Sequence, residues 1–243
     1  MNKSARQFTR KRAIGHSKKL FLQVLEYVAF CYNCLKQDNA EKQVCYSESY
    51  HKNHTSFAFE DWLKVRFIED YLQLLRNQFH PSIKGIRFYS ETEKTYKDEN
   101  NVQRRDKIDI FITNLGLQSY WSGVVEEDIY FSIECKRLKN RSKNAKYLTD
   151  IQKFTEREYE FRFPFEGMIG FVEKSSISID DIIDDINKRL RESSSIITTQ
   201  ELTTFEVRNF QYCRLSRHKK SSSPNTPIEV YHLFFNYAQI ITP

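Results

Sequence analysis

Residues 128–138, DIYFSIECKRL, leave this chain the fewest choices of fold. The run is rich in β-branched and aromatic residues and reads as a strand. Side chains alternate across a strand, so Phe131, Ile133 and Cys135 form one apolar face, and Ser132, Glu134 and Lys136 form the other. A carboxylate and an ammonium on a strand otherwise suited to burial need partners or an opening. KIDIFIT, 107–113, repeats the pattern. Ile108, Ile110 and Ile112 are expected to face the core, with Lys107, Asp109 and Phe111 turned away. If the two strands are neighbours with their polar faces on the same side, Asp109 comes close to Glu134 and Lys136, whereas Asp106 falls on the opposite face.

The other elements fall around these strands. Leu20, Val24, Tyr27, Val28, Cys31 and Leu35 recur at helical spacing and predict a helix over 17–36. The polar stretch 36–54 reads as a linker. Residues 57–79 predict one long helix, capped by Thr55 or Ser56 and ended by His80-Pro81. GIRFYSE, 85–91, is a first strand ahead of the two above, with Gly116 and Gly123 in the loop between those. A helix over 144–161 carries Tyr147, Ile151, Phe154 and Glu158 on one side, and GMIGFVE, 167–173, is a buried strand. Ile179, Ile182, Ile183, Ile186 and Leu190 mark another helix. FEVRNFQYCRL, 205–215, and IEVYHLFFNY, 228–237, close the chain as strands around the loop 216–227. The fold class is α/β, a mixed β-sheet flanked by helices. Residues 1–50 form a basic arm and helix, packing on the core or dimerising, and 51–243 form the main domain.

Composition excludes several functions. A hydrophobic fraction of 40% supports a sizeable core and argues against global disorder. Six glycines cater poorly for phosphate loops, and neither GxxxxGK[ST] nor GxGxxG occurs, nor GxSxG, nor HExxH. The formal charge of +6 suits a polyanionic partner, the more so because it is clustered. Lys3, Arg6, Arg10, Lys11, Arg12, Lys18 and Lys19 precede the first acid, Glu26, and Arg214, Arg217, Lys219 and Lys220 form a second group. Each cluster read alone is as well explained by a solvated segment. Five cysteines without a regular framework suit a reducing compartment. No apolar run reaches transmembrane length, and Gln23, Glu26 and Asn33 interrupt the segment nearest to a signal peptide. A cytoplasmic protein with no membrane partner is expected.

Two carboxylates held close together repel, and one takes up a proton unless a cation sits between them. Mg²⁺ is bound by one or two carboxylates with water and phosphate oxygens, and it stabilises charge growing on a phosphate. The pattern Asp109 … Glu134-Cys135-Lys136 on an α-β-β-β-α-β order resembles the PD-(D/E)xK nuclease superfamily, the restriction-endonuclease-like fold, over roughly residues 56–173. The resemblance implies Mg²⁺-dependent hydrolysis of phosphodiester bonds, usually in DNA, with Mn²⁺ as a substitute ion. It implies Asp109, Glu134 and the Cys135 backbone carbonyl as metal ligands, and Lys136 acting on the attacking water. Members often carry an acid on the helix before the first core strand. Glu60 is the candidate, with Asp61, Glu69 and Asp70 as competitors. Arg105, Gln152, Lys153, Arg217, His218 and Lys219 are the expected nucleic-acid contacts, and a homodimer or a partner subunit is compatible with the pattern. The chain departs from the family in having Ile108 where a proline usually precedes the first Asp. It also has Glu156 four residues after Gln152, where some relatives have Tyr. Restriction, phage defence and DNA processing are the settings in which such nucleases occur. The competing readings are a nucleic-acid-binding module with the same fold and no catalysis, and an interaction domain whose strand charges only protect an edge.

Other patterns have ordinary explanations beside the functional ones. Cys31, Cys34, Cys45, His51 and His54 have a zinc-like spacing, but Cys31 and Cys34 fall on an apolar helix stripe. His232, in an aromatic strand, reads as a hydrogen-bonded structural histidine, and His218 as a phosphate contact or a loop residue. Asp180, Asp181, Asp184 and Asp185 read as a solvated helix face.

Overall fold

The computed structural model describes residues 3–98, 102–118, 121, 129–140, 144–159, 162–221 and 227–242. The side chains of Lys3, Arg6 and Arg10, together with Gly123, lie outside the described residues. The first helix, α1 (Lys3–Lys42), is much longer than its apolar stripe predicts. It is followed by β1 (Tyr46–Ser47), α2 (Glu48–His54) and α3 (Phe59–Phe67), so the expected 36–54 linker is largely structured. Next come β2 (Ile86–Lys97), β3 (Gln103–Asn114), the short α4 (Leu115–Gln118, which takes in Gly116), β4 (Tyr130–Leu138) and α5 (Asn144–Glu156). The chain continues through β5 (Phe165–Val172), α6 (Ile179–Glu192), β6 (Thr198–Thr204), β7 (Cys213–Lys219), β8 (Pro227–Asn236) and β9 (Ile241–Thr242). Among the described residues no helix is long and apolar enough to cross a membrane.

Seven strands form one mixed sheet in the order β2-β3-β4-β5-β8-β7-β6, and β1 pairs with β9. β4, β5 and β8 run parallel in the centre, with antiparallel pairs on both sides. The alternation in β4 sorts its side chains as predicted. Phe131, Ile133 and Cys135 join the large core with Phe21, Val24 and Val28 of α1 and Leu63 and Phe67 of α3. Leu138 turns to the other face and joins Tyr147, Ile151 and Phe154 of α5 and the isoleucine stripe of α6. The first helix therefore packs on the sheet, and its apolar stripe is an integral wall of the core.

Close packing sets the spacing of the central strands. A Cβ on Gly167 would lie 2.7 Å from Ile133 Cγ1 and 3.4 Å from Phe21 Cζ, so only glycine lets α1 and β4 approach β5 this closely. Three further predictions about elements are corrected. The long helix over 57–79 ends as α3 at Phe67 and continues as a π turn, Ile68–Leu72, and a 3₁₀ turn, Leu75–Gln78. The reason is tertiary: the carbonyls of Leu72 and Tyr71 accept from the buried Tyr27 hydroxyl at 2.8 and 3.4 Å. The expected strand 205–215 is instead a turn in which Asn209 takes φ 57, followed by β7. Residues 216–219, expected in a loop, belong to β7, so the connection to β8 is correspondingly shorter.

Candidate active site

The site originates where a ladder stops. β3 pairs with β4 from Ile110 opposite Ile133 to Thr113 opposite Tyr130, and the pairing goes no further. Beyond Ile133, β4 is paired on its other side with β5 as far as Leu138. β3 meanwhile stays with β2 out to Gln103. The two strands therefore diverge into a fork that opens beside Glu134, Cys135 and Lys136. Ile108 shows the divergence. It is buried with Phe111 and Tyr130 in a small separate cluster and not with Ile110 and Ile112, because β3 has by then left the main core.

A forked strand exposes unpaired backbone donors, which must be satisfied. Two carboxylates satisfy them here. Asp109 Oδ2 accepts from the Cys135 N–H at 2.8 Å, and Glu60 Oε2 accepts from the Arg137 N–H at 2.8 Å. The Cys135 thiol is buried in the core while its backbone faces the fork, as alternation requires.

Cations fill much of the remaining space. Lys136 Nζ stands 3.1 Å from Asp150 Oδ2 and 3.4 Å from Glu60 Oε1. The Asp150 contact is an ion pair without hydrogen-bond alignment, and Asp150 Oδ1 accepts from Lys153 Nζ at 2.6 Å. Burial alone would lower the Lys136 pKa, but Asp150 and Glu60 outweigh it and hold the ammonium protonated. Lys64 is buried, with Nζ 2.7 Å from Asp109 Oδ1 and 3.0 Å from Asp61 Oδ1.

Glu134 is the exception. The register that sets Ile110 opposite Ile133 puts Asp109 and Glu134 at matching positions. Among the described residues, no lysine, arginine or histidine pairs with the Glu134 carboxyl, which is pushed well above the ordinary carboxylate range. Desolvation is the first cause, and the negative charges of Asp109, Asp106 and Asp150 add to it. Asp106 itself is held by Arg157 and by the Tyr159 hydroxyl.

Asp109, Glu134, Lys136 and Glu60 therefore meet in one fork. The outer expectations divide. Lys153 reaches the fork through Asp150. Gln152 is tied to Glu156 on its own helix. Arg105 lies on the free ribbon of β3 and is exposed, 3.5 Å from Glu93 Oε2. Arg217 and Lys219 lie on β7, separated from β4 by β5 and β8, and Arg217 is engaged by Glu229 and Gln200. Glu229 also binds Lys18 of α1.

The expectation for His218 is corrected outright: it is completely buried and cannot meet a phosphate. Its Nε2 lies 2.7 Å from Ser216 Oγ, and Ser216 Oγ lies 2.8 Å from His232 Nε2. His232 Nδ1 lies 2.9 Å from the Tyr147 hydroxyl, so His232 is the hydrogen-bonded structural histidine its strand suggests. Cys31 is a core residue, and the competitors of Glu60 lie apart from Lys136: Asp61 on Lys64, Asp70 on Arg66. Of the four acids in 180–185, Asp185 is bound by Asn144 and Arg189.

Sequence reasoning missed Asp150 and Lys64. Both carry a helical signal: Asp150 follows Tyr147 by three positions and Lys64 follows Glu60 by four, so each shares a face with a residue already singled out. Comparison of the chain with protein-family models, with curated proteins and with solved structures finds no match.

Among the described residues no three His, Cys, Asp or Glu side chains form a ready-made metal cluster. The fork offers the carboxylates of Asp109 and Glu134, and Mg²⁺ is bound by one or two carboxylates when water and phosphate complete its shell. An acid pair with an unneutralised member fits a divalent cation.

Proposed function

We propose that this chain is a metal-dependent nuclease of the PD-(D/E)xK type that hydrolyses phosphodiester bonds, foremost in DNA. The succession α3-β2-β3-β4-α5-β5 then corresponds to the restriction-endonuclease-like core. The observation that carries the reading is Glu134: a half-buried carboxyl beside a second acid, with no cation of its own among the described residues, in a fork that already spends lysines on the other acids. Two acids facing each other repel, and a divalent ion between them would relieve that repulsion.

In this reading Asp109, Glu134 and the Cys135 carbonyl hold Mg²⁺ or Mn²⁺, which when bound supplies Lewis-acid stabilisation of charge on the phosphate. Glu60 fixes Lys136 from the α3 side while Asp150 fixes it from the α5 side. Lys136, kept protonated by those two acids, orients the attacking water and offsets charge at the phosphate; it does not abstract the proton. Lys153 and Arg105 extend the basic lining along the path of the backbone.

Glu134→Ala and Lys136→Ala test the proposal. Cleavage of plasmid or oligonucleotide in Mg²⁺ should vanish in both, with folding and nucleic-acid binding kept. A wild-type chain that binds nucleic acid but cleaves neither DNA nor RNA with Mg²⁺ or Mn²⁺ is instead the inactive binding module.

A further inference from the structure

The environment of Lys64 is that of a bound cation. Its side chain is 1% exposed, and its ammonium is surrounded by Asp109 Oδ1 at 2.7 Å, Asp61 Oδ1 at 3.0 Å and Glu91 Oε1 at 3.5 Å. These acids come from three elements: Asp61 from α3, Glu91 from β2 and Asp109 from β3. Glu91 reaches the group with φ 53, a left-handed conformation that a non-glycine residue keeps only when its surroundings hold it there. The spacing suits an ammonium with charge-assisted hydrogen bonds and is too wide for Mg²⁺, whose oxygen ligands stand at about 2.0–2.1 Å.

We propose that the Lys64 ammonium is the fork's resident cation, filling a place that a second divalent ion would otherwise take, so that the wild-type fork admits one divalent ion at most. Asp109 is the shared acid. Its Oδ1 is turned to Lys64 and its Oδ2 to the Cys135 N–H, so the carboxylate is held from both ends before any ion arrives. Lys64 is thus a positioning residue for Asp109. The role of the fork in phosphodiester chemistry rests on the preceding proposal, but the count of cations does not.

The experiment is a titration of the full chain with Mn²⁺ at neutral pH, with free ion read by electron paramagnetic resonance. Lys64→Ala should bind one more Mn²⁺ per chain than wild type. Adding Asp61→Asn and Glu91→Gln in that background should abolish the extra ion, and Lys64→Arg should keep the wild-type count. The difference is expected whether wild type binds one ion or none; a count of none would sink the metallonuclease reading alone. Equal counts in wild type and Lys64→Ala overturn the proposal, and so does a wild-type count of two. If Lys64→Ala is unfolded in chelator, saturating Mn²⁺ should restore its circular dichroism. A variant that stays unfolded in Mn²⁺ also overturns the idea, because an ion that cannot replace the ammonium does not share its place.

Discussion

Lowering the pH from 7.5 to 5.0 should destabilise this protein through two buried histidines, by an amount the structure lets one work out. His218 and His232 share the Ser216 hydroxyl, which can donate to only one of them, so the other ring must donate to Ser216. Among the described residues neither ring has a carboxylate partner. Burial pushes the His218 pKa from 6.5 down to about 4 and moves His232 in the same direction, with the neighbouring ring adding to the effect. Below pH 6.5 the unfolded chain therefore binds protons that the folded chain refuses, and stability falls as the pH falls. For His218 alone the loss is about 2 kcal/mol at pH 5 and about 3 kcal/mol below both values. Glu134 has the opposite slope. Its raised folded pKa makes it a penalty that grows as the pH climbs above the ordinary carboxylate range. The two effects separate in a comparison of wild type with His218→Gln, where the Glu134 contribution cancels. Urea unfolding at pH 7.5 and 5.0 should show the variant losing about 2 kcal/mol less than wild type. Identical pH dependence in the two chains would mean that His218 is solvated, and would return it to the set of candidate phosphate contacts.

Glu60→Ala removes the acceptor of the Arg137 N–H and one of the two acids on Lys136, so stability should drop by about 1–3 kcal/mol in denaturant titration. Glu60→Gln keeps an acceptor and should recover most of that stability while cleavage remains impaired. Gly167→Ala drives a methyl against Ile133 and Phe21 and should lower stability by about 1–3 kcal/mol without touching the fork. Arg105→Ala, at an exposed side chain, should leave thermal stability unchanged and reduce the salt dependence of DNA binding by about one phosphate contact.

Period-two alternation made β3 and β4 legible, and with them the meeting of Asp109, Glu134 and Lys136. Helical spacing on α3 singled out Glu60, which the structure sets against Lys136 and the Arg137 N–H. What could not be read were features whose cause lies far along the chain. The π turn at Ile68–Leu72 is explained by the Tyr27 hydroxyl, more than forty residues earlier. Asp150 lies on the buried side of α5 and resembles a residue of a solvated helix until Lys136 is brought to it from another strand. The basic run at 214–220 suggests a loop by composition, yet Arg214 to Lys219 alternate with β8 in a regular ladder that buries His218. Asn209 was the available clue to the preceding turn, since asparagine tolerates the left-handed conformation it adopts there.

The open edge of β4 has a consequence for how such a protein can change. Asp109 and Glu60 each plug a backbone donor, so deleting either damages the scaffold as well as any chemistry. Among the described residues Glu134 accepts from no backbone donor, and neutralising it would relieve repulsion, whereas Lys136 balances Asp150 and Glu60. A lineage drifting toward an inert scaffold would thus shed Glu134 first and keep Asp109 and Glu60 long after they had lost any chemical purpose.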